Sequence, residues 1–124
     1  MDFSIAFIKL FFLILGMAAP LFLLFVILIV CCGLIVGRLE KWPYYDSVYY
    51  AFITATTVGY GDFRPVKRLS RFLAVMIAFM GLTFTGIFVS VAVSAANRAF
   101  TETQNVEQAE KDLKEAISTV VDSE

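Results

Sequence analysis

The chain has 124 residues, 60% of them hydrophobic and 17% charged, with ten basic and eleven acidic residues for a formal net charge of −1. So high an apolar share argues against an ordinary soluble domain. Histidine is absent, which removes the commonest general base and metal ligand, and no nucleophile–base set or spaced carboxylate pair lies in the apolar part, so neither an enzyme nor a cofactor is expected.

The N-terminal segment, residues 1–9, carries Asp2 and Lys9 around Phe3, Phe7 and Ile8. It reads either as a short interfacial helix or as the start of the next element. Residues 10–37 hold no charge. That run exceeds the roughly 20 residues a helix needs to cross a bilayer, and it predicts an outer transmembrane helix over 10–37. A cleaved signal would have a shorter apolar region of about 7–15 residues behind a basic flank, so cleavage near Met17-Ala18-Ala19 is not expected. Pro20 predicts a kink or local loosening, which membrane helices tolerate. Cys31 and Cys32 are neighbours, about 100° apart on a helix and poorly placed to pair. They read as small apolar fillers.

The connection between the two apolar runs, residues 38–71, starts with a charged, turn-like stretch from Arg38 to Pro43. Residues 44–56 are aromatic and apolar, with Asp46 and Ser47 suited to a helix start, and predict a short helix over 44–56. That helix is too short to span. Thr56-Thr57-Val58-Gly59-Tyr60-Gly61-Asp62 follows. Its glycines adopt positive φ at little cost, so successive carbonyls over 57–61 can point the same way. Carbonyls aimed at one axis can replace the water shell of an ion. Non-helical backbone at membrane depth needs protein or water around it, and a ring of carbonyls needs several copies of the chain.

Residues 72–97 are again uncharged, and an inner transmembrane helix is predicted over 69–98. Leu82, Thr85, Val89, Val93 and Asn97 recur at three- and four-residue steps and share one helix face. From residue 99 to 124 the chain is polar, with seven acidic residues and two lysines. Val106, Ala109, Leu113, Ala116 and Val120 follow a three–four alternation. This tail reads either as a helical bundle between copies or as a solvated amphipathic helix.

The TTVGYGD segment resembles the potassium-channel signature. The stretch from Tyr44 to Asn97 as a whole resembles prokaryotic two-transmembrane-helix potassium channels of the pore-only type. The resemblance implies an all-α membrane protein with two transmembrane helices, a re-entrant pore helix and selectivity filter, and a tetrameric pore. It implies a homotetramer in the plasma membrane, both termini cytoplasmic, conducting K+ passively, with lipid and K+ as partners and no nucleic acid. The filter would comprise residues 57–61. The carbonyls of Thr57, Val58, Gly59 and Tyr60 and the Thr57 hydroxyl would line the K+ sites, with Gly61 and Asp62 at the outer mouth. Related non-selective channels carry an acidic residue in place of Tyr60, so Tyr60 argues for K+ selectivity. Its side chain would brace the filter against the pore helix.

Further expectations follow from the same likeness. Leu82, Thr85 and Val89 would line the cavity, Val93 and Asn97 would lie near a gate, and Gly81 aligns with the glycine at which inner helices bend. The pore-helix glutamate and tryptophan that bond the filter aspartate in the best-known member fall on Ile53 and Tyr50 here. Ile53 cannot share a proton with Asp62, whereas the Tyr50 hydroxyl can donate to it. One pattern runs against the likeness. Arg38, Lys41, Arg64, Lys67, Arg68 and Arg71 crowd the connection, so the positive-inside rule alone gives the opposite orientation. Two other readings stand beside the channel: a non-conducting membrane scaffold or channel subunit, and a poorly selective cation channel. No voltage-sensor arginine ladder, EF-hand or Gly-rich nucleotide loop points to a gating stimulus.

Overall fold

A computed structural model describes residues 2–124. Its elements are helices α1 (Phe3–Glu40), α2 (Tyr44–Ala55) and α3 (Arg68–Asp122), and no strand occurs among the described residues. α1 and α3 are both long and apolar enough to cross a membrane.

The helix bounds differ from the sequence expectation at both ends of α1 and α3 and at the end of α2. α1 begins at Phe3, so residues 3–9 are the first turns of one continuous helix. The rings of Phe3, Phe7 and Phe11 stack with centroids 6.3 and 5.9 Å apart, side-chain pairs four apart that support a helix start. α2 ends at Ala55, because Thr57 takes φ +63° and the left-handed conformation cannot continue a helix. α3 runs past residue 98 to Asp122 without a break. The tail lacks glycine and proline, so nothing in it stops the helix.

Residues 18–89 form one compact unit. Its core joins Ile29 and Val36 of α1, Tyr50, Ala51 and Ala55 of α2, and Ile77 of α3, with Trp42, Phe63 and Leu73 against it. In a bilayer such packing gains little from the hydrophobic effect, since lipid is as apolar as leucine, and depends on close backbone approach. The chain supplies that approach with small residues. β-Carbons at Gly33 and Gly37 of α1 would collide with Ala51 and Ser47 of α2. Ser47, 2% exposed, still satisfies its hydroxyl by donating to the Pro43 carbonyl at 3.0 Å.

The second unit comprises residues up to 17 together with 90–124. Ala6, Val91, Ala95 and Ala99 are buried in it. Beyond residue 103 α3 is exposed on every side, including Val106, Leu113, Ile117 and Val120. Glu110–Lys114 at 3.1 Å and Gln108–Asp112 at 2.9 Å are pairs four residues apart, of the kind that supports a solvated helix.

Candidate functional site

The site is the segment between α2 and α3. At the end of α2 the Thr56 amide donates to Phe52 O at 2.9 Å and the Thr57 amide to Thr54 O at 3.2 Å. The Gly59 amide then reaches back to Ile53 O at 3.0 Å, which ties the following strand to the helix. Thr57, Gly59 and Gly61 have φ of +63°, +52° and +81°, whereas Val58 and Tyr60 do not have positive φ. In a β-strand successive carbonyls face opposite ways. Alternation of left- and right-handed residues turns successive peptide units to the same side, which is what a row of ion-binding carbonyls requires. Holding Thr57 there costs about 1–2 kcal/mol, since its β-carbon crowds the backbone in that region. α2 also directs its C-terminal end at this segment, placing roughly half a negative charge where a cation would pass.

Several expected partners differ from what the fold provides. The Thr57 hydroxyl donates to Thr56 O at 2.6 Å, so in the single chain it is engaged with backbone. Tyr60 is 72% exposed and does not bury itself against α2 of its own chain. Tyr50 does not reach Asp62. It is buried, its ring lies 5.0 Å from that of Trp42, and its hydroxyl pairs with Thr54. The tyrosine facing Asp62 is Tyr49, whose phenol is raised above its ordinary pKa by burial and then by hydrogen bonding to that carboxylate. Asp62 in turn accepts from the Phe63 amide at 3.1 Å. The Ile53 side chain is buried, and its part in the site is the backbone carbonyl that receives Gly59.

Gly81 sits within unbroken α3, and a β-carbon there would collide with the Ala55 carbonyl. Close approach to the end of α2 is sufficient reason for glycine at this position. Leu82, Thr85 and Val89 lie exposed on α3, with Thr85 Oγ1 donating to Gly81 O at 3.0 Å. Val93 and Asn97 are likewise exposed in the second unit.

Sequence reasoning missed several residues that shape the site. Phe63 packs edge-on against Trp42 and Tyr49, with centroids 5.2 and 6.1 Å apart. Arg64 Nε donates to Gly61 O at 3.0 Å. Glu40 Oε1 accepts from the Val66 and Lys67 amides at 3.0 and 2.9 Å, capping the start of α3 from the end of α1. The clustering of aromatics on both sides of the signature was the one available signal for Trp42, Tyr49 and Phe63.

Residues 21–98, well over half of the chain, match the ion-channel family. The chain belongs to that family. Its site is thus one for passing ions and not for an enzymatic reaction. Among curated proteins it is 38% identical over 69 residues to the TWiK family of potassium channels protein 7 of Caenorhabditis elegans, covering 53% of this chain and 12% of that protein. It is 34% identical over 62 residues to the human potassium channel subfamily K member 5, covering 44% of this chain and 12% of that protein. It is 43% identical over 47 residues to two-pore potassium channel 1 of Arabidopsis thaliana, covering 38% and 13%. The chain therefore matches only a small part of each relative's length. No solved structure matches it.

Proposed function

We propose that this chain is the pore-forming subunit of a potassium-selective channel, in which four copies surround one axis and pass K+ down its gradient. The observation that carries the reading is the TTVGYGD segment itself, with positive φ alternating along Thr57, Gly59 and Gly61. The matched relatives whose names denote potassium channels support it. In this reading α2 is a pore helix entering the membrane from outside, about 18 Å long at 1.5 Å per residue and too short to cross. The carbonyls of Thr57, Val58, Gly59 and Tyr60 replace the water around K+, and the Gly59–Ile53 bond holds their spacing. Leu82, Thr85 and Val89 line the cavity below, with Val93 and Asn97 towards the inner mouth. Exposed Tyr60 packs on a neighbouring copy, which supplies the brace its own α2 does not. The connection faces outward from the plasma membrane and both termini lie in the cytoplasm.

The test is recording from purified protein in planar bilayers with K+ on one side and Na+ on the other. A reversal potential near the K+ value, lost in Tyr60→Asp, is the expected result. A reversal near zero points to a poorly selective pore, and silence from a verified tetramer to a non-conducting subunit.

A further inference from the structure

We infer that Lys41 and Trp42 are positioning residues for the filter: the left-handed turn at Lys41 sets the Trp42 ring against Phe63, so that the outer end of α1 holds the chain where it leaves the signature. The inference rests on the potassium-channel reading above. Among the described residues only Lys41, at φ +59°, and Thr57 in the filter itself have positive φ without being glycine. That conformation is costly for a residue with a β-carbon and persists where the surroundings enforce it. Here the Trp42 amide donates to Gly37 O at 2.8 Å. This is the six-residue closure of a Schellman motif, whose left-handed position is usually glycine. Lys41 is exposed and makes no ion pair among the described residues, so its contribution at this point is the direction of the backbone.

The turn delivers Trp42 onto two neighbouring rings. Its ring lies 5.0 Å from that of Tyr50 on α2 and 5.2 Å from that of Phe63, at interplanar angles of 63° and 66°. Such edge-to-face pairs fix an orientation as well as burying area. Trp42 and Phe63 both pack on the core that joins α1, α2 and α3. Phe63 directly follows Asp62, and Gly61 before it holds φ +81°. α2 ties the filter at Gly59 through the Ile53 carbonyl. α1 ties the chain just beyond Gly61, at Phe63, and Trp42 is the side chain that makes this second tie.

The test uses the full chain in planar bilayers, with the K+/Na+ reversal potential of the wild type measured first. A wild type that does not select K+ overturns the channel reading, and this inference falls with it. In a selective wild type, the decay of current during sustained opening is compared across variants. Trp42→Ala is expected to speed decay by roughly fivefold or more, and Trp42→Phe, which keeps a ring at the contact, to recover most of the difference. Lys41→Val is β-branched and poorly suited to positive φ, and should match Trp42→Ala. Lys41→Gly and Lys41→Asn accept that conformation and should stay within about twofold of wild type although the charge is gone. Lys41→Val combined with Trp42→Ala should add nothing to Trp42→Ala alone, because Lys41 acts through the ring. Trp42 is the one tryptophan of the chain, so its emission reads the contact directly even where Trp42→Ala does not assemble. Replacing K+ by Na+ around the purified channel should shift that emission in the wild type and not in Phe63→Leu. Additive effects of Lys41→Val and Trp42→Ala, an effect of Lys41→Asn equal to that of Lys41→Val, or wild-type emission indifferent to the ion would overturn the assignment.

Discussion

Gly81 of α3 lies so close to the carbonyl oxygen of Ala55 that any β-carbon at that position would strike it. Because the obstacle is backbone, it cannot swing aside as a side chain can. Gly81→Ala is expected to destabilise the protein by about 1–3 kcal/mol, the usual cost of overpacking, read as a lower Tm in detergent. Gly86→Ala meets open space and should leave Tm unchanged or slightly raised, since alanine is the better helix former. A Gly81→Ala protein of wild-type Tm with altered opening would instead mark a hinge.

The Tyr49–Asp62 pair predicts which tyrosine stabilises the filter. Tyr49→Phe should accelerate the decay of current during sustained opening by severalfold. Tyr50→Phe, whose hydroxyl pairs with Thr54, should leave decay near wild type while lowering Tm. The pH dependence follows from the raised Tyr49 pKa. A group whose folded pKa is raised contributes its stability below the unfolded value, about 10 for tyrosine, and loses it as pH rises through the folded value. Decay should therefore be flat between pH 6 and 9 as far as Tyr49 is concerned (roughly the range below its titration), and faster only above about 10.

Glu40 holds the two residues that lead into α3 by accepting from the Val66 and Lys67 amides. Backbone amides at a helix entry lack an intrahelical acceptor, and one supplied from elsewhere stabilises the end. Glu40→Ala should lower Tm by a few degrees, and Glu40→Gln by less, because the amide oxygen still accepts but without charge. Thermal unfolding in detergent reads this directly, and a Tm equal to wild type in both variants would show that the cap is dispensable.

Lys67 and Arg68 lie outside the filter contacts and act only through their field. The double variant Lys67→Gln, Arg68→Gln should raise inward K+ conductance by roughly twofold at ~10 mM salt, with the difference vanishing near 1 M as the Debye length shrinks to about 3 Å. A difference that persists at high salt would mean that the substitutions had changed the loop itself.

What the amino-acid sequence determined alone is local. Uncharged runs over 10–37 and 72–97 dictate two long apolar helices, because helix rise and bilayer thickness leave few alternatives. Gly59 and Gly61 permit the alternating backbone of the signature, because their φ freedom is a property of the residue. The tertiary structure decided everything that depends on how helices meet. Tyr49 and Tyr50 are one residue apart, about 100° around α2, and only the rotation of that helix against the loop selects Tyr49 for Asp62. Glu40 reaches Val66, just ahead of α3 and 26 residues away, a distance no periodicity encodes. Gly81 looks like any flexible glycine until Ala55 is placed against it. The Arg64–Gly61 bond likewise depends on Phe63 being pinned by Trp42 and Tyr49, so a charge that sequence reading assigned to a diffuse basic loop becomes one positioned guanidinium.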